Sequence, residues 1–201
     1  TWGNGVKVVA VDRGPDQIIE LAQAPSNNTP TAGGTVTFNV SGVAKTAECV
    51  TVSGTTLTVV LDDPTVLIGT ADTYEDGATD VAISSAKDWY TNTSIGSTGL
   101  KLSAIGPRPG TSEFASSRGI KYDEIHIGVV DTTGDISGAA NTVLERFTFL
   151  SKLSDGKSPE GGSIYYKDVV NNEAQNIFHG AALTGTFEPN STGGGKTIGV
   201  A

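Results

Sequence analysis

Short runs of β-branched residues recur along this chain, and each run is bounded by residues typical of turns. Val6 to Val11 is closed by Gly14 and Pro15, and a second run follows from Gln17 to Leu21. Valine, isoleucine and threonine favour extended backbone, whereas glycine and proline interrupt it. The pattern therefore predicts an α+β fold dominated by β-structure, with antiparallel or mixed sheets and only a few short helices.

Residues 25–70 have the composition of a small β unit of their own. A loop rich in Pro, Asn and Gly occupies residues 25–35, and Gly54-Thr55-Thr56 predicts a hairpin turn between two later runs. The expected strands are Val36–Val40, Cys49–Ser53, Leu57–Leu61 and, as a further candidate, Thr65–Gly69. We therefore expect residues 25–70 to be a small antiparallel β insertion. The main domain then comprises residues 1–24 and 71–188, and residues 189–201 are a linker to a following domain.

The second half of the chain contains a run from Glu124 to Val130 that alternates at first and then becomes fully apolar. Such a run predicts a central strand buried on both faces. Val143 to Leu150 fits an amphipathic helix by the spacing of its apolar residues and fits a strand nearly as well. We favour the strand, because a turn-bounded partner precedes it. Further strands are predicted at Leu100–Ile105 and Asn176–Phe178.

Short helices are predicted where a serine or threonine can cap the first turn of a segment. They are expected at residues 84–90 with Asp88 in the first turn, at 114–118 behind Thr111 or Ser112, and at 164–171 behind Ser163. Gly119 is expected to stop the second of these helices.

Charge and composition exclude several classes of partner. The net charge is −9 and the 13 Lys and Arg residues are scattered, whereas phosphate binding needs clustered cations, so nucleic acid is disfavoured. No apolar run approaches the roughly 20 residues that span a bilayer, so no membrane partner is expected. No signal segment opens the chain. Because the sequence begins at Thr1 and contains no Met, we interpret it as a piece of a longer protein.

Residues that could carry chemistry are present but form no known pattern. Cys49 lies in a strand-like run and is interpreted as a small buried thiol. Gly193 to Thr197 suggests a phosphate-binding loop, but Asn190 stands where the motif needs glycine, so a linker is expected. His126 and His179 are unclustered, and such histidines more often pack or cap than bind a metal.

Acidic residues are densest between positions 72 and 80. Four side chains there could supply oxygen ligands to a cation: Asp72, Glu75, Asp76 and Asp80. The spacing of a calcium-binding loop is absent, so a solvated loop is expected, and Asp76→Ala should change stability little. Asp131 and Asp135 are interpreted as turn residues. We therefore predict no catalytic, cofactor-binding or metal-binding residue, no small-molecule ligand and no enzymatic activity.

Large aromatic side chains are the expected anchors of the core. They are Trp2, Trp89, Tyr90, Tyr165 and Tyr166. Aromatic residues bury a large area and serve both cores and interfaces, and packing in the core is the favoured interpretation here.

Four segments of the chain are similar in sequence to one protein family. The longest runs from Ile120 to Phe178 and includes the predicted central strand, a polar turn, the next strand and the segment that begins at Ser163. The shorter segments are Thr1–Val8, Lys87–Tyr90 and Gly106–Ser112. With these segments the chain resembles the tail sheath protein of contractile-tailed bacteriophages.

The resemblance implies a structural subunit of the virion, assembled in the host cytoplasm. Copies of such a subunit form six-fold rings that stack helically around the tail tube and contract to drive the tube into the host cell. The chain resembles a middle domain of that subunit, without the flanking segments that link neighbours, so the isolated chain is expected to be a monomer. Two alternatives remain: the sheath of a non-phage contractile injection system, and a viral or extracellular β-rich adhesion module.

Overall fold

The computed structural model describes residues 5–177, which divide into two compact units. One unit comprises residues 14–92, and the other comprises residues 5–13 together with residues 93–177. Both units are built mainly from antiparallel strands. The predicted class, α+β with β-structure dominant, is confirmed. None of the helices within residues 5–177 has the length and apolar character needed to cross a membrane.

The strands of residues 5–177 are β1 (Val6–Val11), β2 (Gln17–Leu21), β3 (Thr35–Val40), β4 (Val43–Ser53), β5 (Thr56–Leu61), β6 (Thr73–Tyr74), β7 (Val81–Asp88), β8 (Glu124–Asp131) and β9 (Thr142–Ser151). Six of them begin and end close to the positions that β-branched runs predict. β4 begins six residues before its predicted start, and β6 and β7 are strands that no such run predicts. The helices are α1 (Trp89–Asn92), α2 (Glu113–Ser116) and α3 (Tyr166–Glu173), and Leu102–Ala104 forms one turn of 3-10 helix.

Residues 14–92 form a closed six-stranded barrel in the order β2-β5-β4-β3-β6-β7. Alternate residues of the strands point inward, and their apolar side chains fill the barrel interior. In β5, Leu57, Val59 and Leu61 are buried, and the residues between them are partly exposed. Phe38 and Tyr74 meet edge to face inside the barrel, with ring centroids 5.7 Å apart. Closure pairs every strand on both sides for at least part of its length, and so limits open edges.

The predicted limits of the insertion, residues 25 and 70, fall inside this barrel. β2 and β7 belong to the barrel as well, because they pair with each other from Gln17 opposite Asp88 onward. The N–H of Trp89 also donates to the carbonyl of Asp16 at 3.0 Å. The first and last residues of the barrel therefore lie side by side.

The prediction of a helix at residues 84–90 is wrong for most of that segment. Residues through Asp88 extend β7, and only Trp89–Asn92 turn into a helix, with the Asp88 carboxylate accepting the N–H of Thr91 at 2.8 Å. Ala and Lys are good helix formers, but intrinsic helix propensities differ by less than about 1 kcal/mol per residue. The hydrogen-bond partners that β2 offers outweigh this local preference.

The expected strand at Thr65–Gly69 is also absent. The buried side chain of Gln17 instead pairs with one residue of this segment, as a neighbouring strand would. Its Nε2 donates to the carbonyl of Ile68 and its Oε1 accepts the N–H of Ile68, both at 2.9 Å. One amide side chain thus holds Ile68 in the barrel core, and no strand ladder forms at these residues.

The other unit is organised around a three-stranded antiparallel sheet in the order β1-β8-β9. The central strand β8 pairs with β1 from Val6 opposite Asp131 to Val11 opposite His126. All residues of β8 after Glu124 are buried, which confirms the predicted central strand. The strand favoured at residues 143–150 is confirmed as part of β9.

Two further strand predictions in this unit are wrong. Leu100–Ile105 contains a 3-10 turn in which Leu102 and Ile105 are both buried. A Cβ at Gly128 would lie 2.4 Å from Cδ1 of Ile105, so Ile105 packs against a position on β8 that needs glycine. Asn176 and Ile177 are irregular, and Phe178 lies outside the described residues.

Both helices expected in this unit are present. Ser112 caps α2 as predicted, because its Oγ accepts the N–H of Ala115 at 3.1 Å. α3 begins at Tyr166, two residues later than expected. Ser163 does not cap it, and its hydroxyl donates instead to the Asp168 carboxylate at 2.8 Å.

Candidate interaction surface

The sequence-predicted residues of the barrel serve its core and its loops. Cys49 is fully buried, which confirms the interpretation as a packed thiol, and its Sγ donates to the carbonyl of Thr51. Burial raises the pKa of the Cys49 thiol, because an ionised sulfur would be poorly solvated there. The thiol therefore persists in its neutral form, which is the unreactive one.

The acidic residues between positions 72 and 80 have separate partners. Asp72 accepts the N–H groups of Ser41 and Gly69, and Asp80 accepts the hydroxyl of Thr73. Within residues 5–177 no group of three His, Cys, Asp or Glu side chains is arranged to hold a metal ion. These contacts fasten turns to the barrel wall.

The expectation that Asp76 is solvated is wrong. Only 3% of the surface of Asp76 is exposed. Its carboxylate accepts the N–H groups of Ser26, Asn27 and Asn28 at 2.6–2.8 Å. Burial opposes ionisation, but the three N–H donors together outweigh it and hold the pKa of Asp76 below its ordinary value. Asp76 therefore fixes the loop at residues 26–28, which composition alone marks only as irregular.

The prediction that Asp131 is a turn residue is wrong, because it is the last residue of β8 and is fully buried. Its side chain instead holds the turn that follows the strand. Its carboxylate accepts N–H groups of Gly134, Ile136 and Ser137, as well as the Ser137 hydroxyl, at 2.8–3.0 Å. The N–H of Ser137 is the largest cause that holds the pKa of Asp131 far below its ordinary value, against the effect of burial. Asp135 accepts the hydroxyl of Thr133 at 2.7 Å.

A third buried carboxylate, Asp123, gives no signal in the sequence. Its oxygens accept the N–H and the hydroxyl of Ser112, each at 2.8 Å, and the hydroxyl of Ser151 at 2.5 Å. The same Ser112 caps α2. Asp123 therefore ties α2 to the end of β9. Its partners Ser112 and Ser151 lie 11 and 28 positions away in the sequence, so no local motif marks the site.

His126 is fully buried in β8 and connects it to both neighbouring segments. Its Nδ1 accepts the N–H of Phe149 at 2.9 Å, and its Nε2 faces the carbonyl of Pro107 at hydrogen-bonding distance. An accepting Nδ1 carries no proton, so Nε2 carries the ring N–H and donates it to the Pro107 carbonyl. His126 is thus a packed, hydrogen-bonded residue, in agreement with the interpretation from sequence.

Phe149 adopts a backbone conformation that is rare for a bulky residue. Its φ is +56°, in the left-handed region where the Cβ of an L-residue crowds the following carbonyl. The N–H bond to His126 holds it there, and the two rings meet edge to face with centroids 4.8 Å apart. Phe149 is nevertheless 43% exposed. The backbone strain therefore supports an aromatic side chain that faces outward.

A bulge in β9 accompanies this arrangement, because Thr148 and Phe149 together oppose His126. A separate bulge lies at Leu144, an extra residue between the pairs formed by Glu145 and Val143. A Cβ at Gly106 would lie 2.9 Å from Cγ2 of Thr148 and 3.0 Å from Cδ2 of His126. Gly106 therefore allows its segment to lie directly against the bulge, and bulges commonly redirect a side chain at a site of contact.

Among residues 5–177, nothing pairs with the outer edge of β9 over most of its length. β8 is its only neighbour in the sheet of described residues, and the parallel bridge from Ser151 to Tyr165 covers just the end of the strand. Near the middle, the Glu145 carboxylate accepts the N–H groups of Gln175 and Asn176 beyond α3. Apolar residues Val143, Leu144, Phe147 and Phe149 are all partly or largely exposed along the strand.

The predicted aromatic anchors fall into two groups. Trp89 and Tyr90 are buried, and a Cβ at Gly14 would lie 2.1 Å from the Trp89 ring, so the chain passes directly over it. Tyr165 and Tyr166 are partly exposed and meet edge to face. Trp2, His179 and the Gly193–Thr197 segment lie outside the described residues.

The most distinctive surface of the described chain is therefore the β9 edge, which we define as the outer edge of Thr142–Ser151 with the outward ring of Phe149. No protein-family model, no curated protein and no solved structure matches this chain.

Proposed function

We propose that this chain is part of the subunit of a contractile tail sheath and that the β9 edge contributes to contacts between subunits. The observation that carries the proposal is the exposed ring of Phe149, held outward on an open strand by a strained backbone. Open apolar edges invite pairing with another chain, and strain of this kind clusters at binding sites. The sequence resemblance to tail sheath proteins includes the whole of β9.

The way in which the loops are held also supports this role. Subunits of a contractile assembly move largely as rigid bodies, so that energy is stored in the contacts between them. Here Asp123 and Asp131 bind backbone and side-chain donors of the sheet unit, and Asp76 does the same in the barrel. Every buried side-chain donor or acceptor of residues 5–177 has a partner. Each unit is thus suited to move without internal rearrangement.

Immunoelectron microscopy of virions tests the assignment. Antibodies against the 201-residue chain should label contractile tails along their whole length, in both the extended and the contracted state. Label confined to the tail tip or to fibres would favour the adhesion alternative and overturn the sheath proposal. Label along a tail-like particle that lacks a capsid would identify a non-phage injection system.

A pair of variants tests the role of the β9 edge. Phe149→Asp in the intact protein should reduce the number and length of assembled sheaths, because it places a charge in an apolar contact. Aspartate tolerates the left-handed conformation better than phenylalanine, which offsets the loss of the ring contact with His126, so the melting temperature of the isolated chain should change little. Ile136→Asp is the matched control, since its side chain is similarly exposed in the same unit. Normal sheaths with Phe149→Asp would exclude the β9 edge from the subunit contact.

A further inference from the structure

A second open strand edge, besides that of β9, lies on β4 of the barrel. β4 pairs with β3 from Val43 to Glu48, but it pairs with β5 only from Ala47 to Ser53. On the β5 side the carbonyl of Thr46 still accepts the N–H of Asp62 at 3.2 Å. The chain then turns away at Pro64. Within residues 5–177, no strand therefore pairs with Val43–Thr46 on this side.

The direction of the free backbone groups follows from that last bond. In an antiparallel strand, the N–H and C=O of one residue point to the same side, and alternate residues point to opposite sides. Because the carbonyl of Thr46 points toward the β5 side, the N–H and C=O of Ala44 point there too. Ala44 thus offers a donor and an acceptor spaced as an added strand requires.

A cavity of about 190 Å³ lies beside this edge. It is lined by residues 44–46 of β4, by residues 61–63 and by Val66. Two apolar side chains nearby in sequence are strongly exposed: Val43, and Leu67 with 78% of its surface accessible. Val43 and Leu67 do not line the cavity, whose apolar lining consists of Ala44, Leu61 and Val66. The edge therefore combines free backbone groups with a recess that can take an apolar side chain.

The charges at this edge are mainly negative. The cavity is lined by Asp62, by Asp63 and by one cation, Lys45, whose Nζ lies 3.6 Å from the Asp63 carboxylate. The hydroxyl and N–H of Thr65 hold the pKa of Asp63 below its ordinary value, so it stays ionised at neutral pH. Glu48 lies two residues beyond Thr46 on the same, exposed face of β4. The edge therefore complements a basic partner.

We propose that the open edge of β4 binds an extended, basic peptide segment of a partner protein by strand addition. The backbone of that segment bonds to Ala44, an apolar side chain enters the cavity, and a Lys or Arg approaches Asp62 and Asp63. In this binding mode backbone bonds supply affinity and alternate side chains supply specificity. The site belongs to the barrel and is independent of the sheath proposal, which rests on β9.

Titration of the isotope-labelled chain with a capped Val-Lys-Val-Lys-Val peptide tests the site. Nuclear magnetic resonance should show saturable shifts confined to the amides of residues 43–46, 61–63 and 65–67. Hydrogen exchange at the Ala44 N–H should slow when the peptide is present. The matched control peptide carries glutamate in place of lysine and should bind at least about threefold more weakly.

Variants of the chain complete the test. Asp62→Asn with Asp63→Asn should weaken binding of the lysine peptide about fivefold at low salt, whereas Asp80→Asn, an exposed carboxylate elsewhere on the barrel, should leave it unchanged. Absence of shifts at about 1 mM peptide would overturn the proposal. Shifts spread over other strands, or equal binding of the glutamate peptide, would overturn it as well.

Discussion

Three buried aspartates of residues 5–177 accept hydrogen bonds from backbone N–H groups. Asp76, Asp123 and Asp131 are all buried, and each accepts at least one backbone donor from a loop or a helix start. A carboxylate can accept several such bonds at once, which is why a single residue can fix a loop of irregular shape. Acidic side chains therefore define local structure here in addition to setting the net charge.

The low pKa of Asp131 predicts how stability depends on pH. The folded pKa lies below the unfolded value of about 3.9, so ionised Asp131 contributes stability above about pH 4 and loses it as the pH falls toward the folded pKa. Asp131→Asn should lower the melting temperature at pH 7, and the difference from the unsubstituted chain should shrink toward pH 2. Calorimetry across this range is the measurement. A difference that is constant with pH would contradict it.

Asp76→Ala should destabilise the chain clearly, in contrast to the expectation from sequence alone. Three N–H groups of residues 26–28 would lose their acceptor. We expect the melting temperature to fall by about 5 °C. Asp80→Ala, which removes one exposed hydroxyl contact, serves as the control and should shift it by about 1 °C. Equal shifts in thermal melts would show that the Asp76 loop is not held by the carboxylate.

At the scale of elements, strand positions follow from the β-branched runs, whereas the partners of a segment can override its local pattern. The runs of β1, β2, β5 and β8 alternate or are fully apolar, and the structure confirms them. β7 reads locally as a helix but completes the barrel beside β2. Ile68 lies in a strand-like run, yet its partner is the side chain of Gln17, 51 residues away. No local pattern encodes such a partner.

The outward position of Phe149 on the β9 edge could not be predicted from the sequence, for the same reason. Phe149 lies in an apolar run that predicts a strand, and β9 confirms the strand. Its left-handed backbone arises because two residues oppose one across a bulge, and because His126 accepts its N–H. Gly106 is the one local signal, since glycine allows a close approach. Its partners on β8 and β9 become visible only in the fold.

The burial of β8 predicts a large effect of charge within the sheet. Val129 is fully buried between β1 and β9. Val129→Asp would bury a carboxylate without a partner and should cost several kcal/mol, enough to unfold a typical domain. Ile136→Asp, at an exposed loop position, should cost about 0.5 kcal/mol or less. Chemical denaturation measures both free energies of unfolding, and the opposite ranking would contradict the strand assignment.

At the scale of the whole chain, each unit has a hydrophobic core of its own. The barrel core is built from residues between Ile19 and Ile83, and a separate cluster joins Val8, Ile125, Leu150 and Val170 in the sheet unit. A unit with its own core and adjacent ends meets the usual criteria for a domain that folds alone.

The barrel should therefore fold in isolation. Residues 14–92 expressed alone should give a cooperative thermal transition and dispersed amide resonances. The pairing of β2 with β7 closes the barrel without help from the remaining residues. A gradual transition with collapsed resonances would show that residues outside 14–92 are needed. A version with Ile19→Asp, which places a charge in the core, is the negative control.

The adjacent ends of the barrel also determine how it responds to force. Tension along the chain would pull Asp16 away from Trp89, and these residues begin the ladder between β2 and β7. Because the bonds of an antiparallel ladder lie across the strands, this load opens them one after another, as a zipper opens. The same barrel loaded from opposite ends of a strand pair would have to break many bonds at once. A pull between residues 13 and 93 should thus open this barrel at low force, from its seam inward, while the ladder between β3 and β4 is still intact.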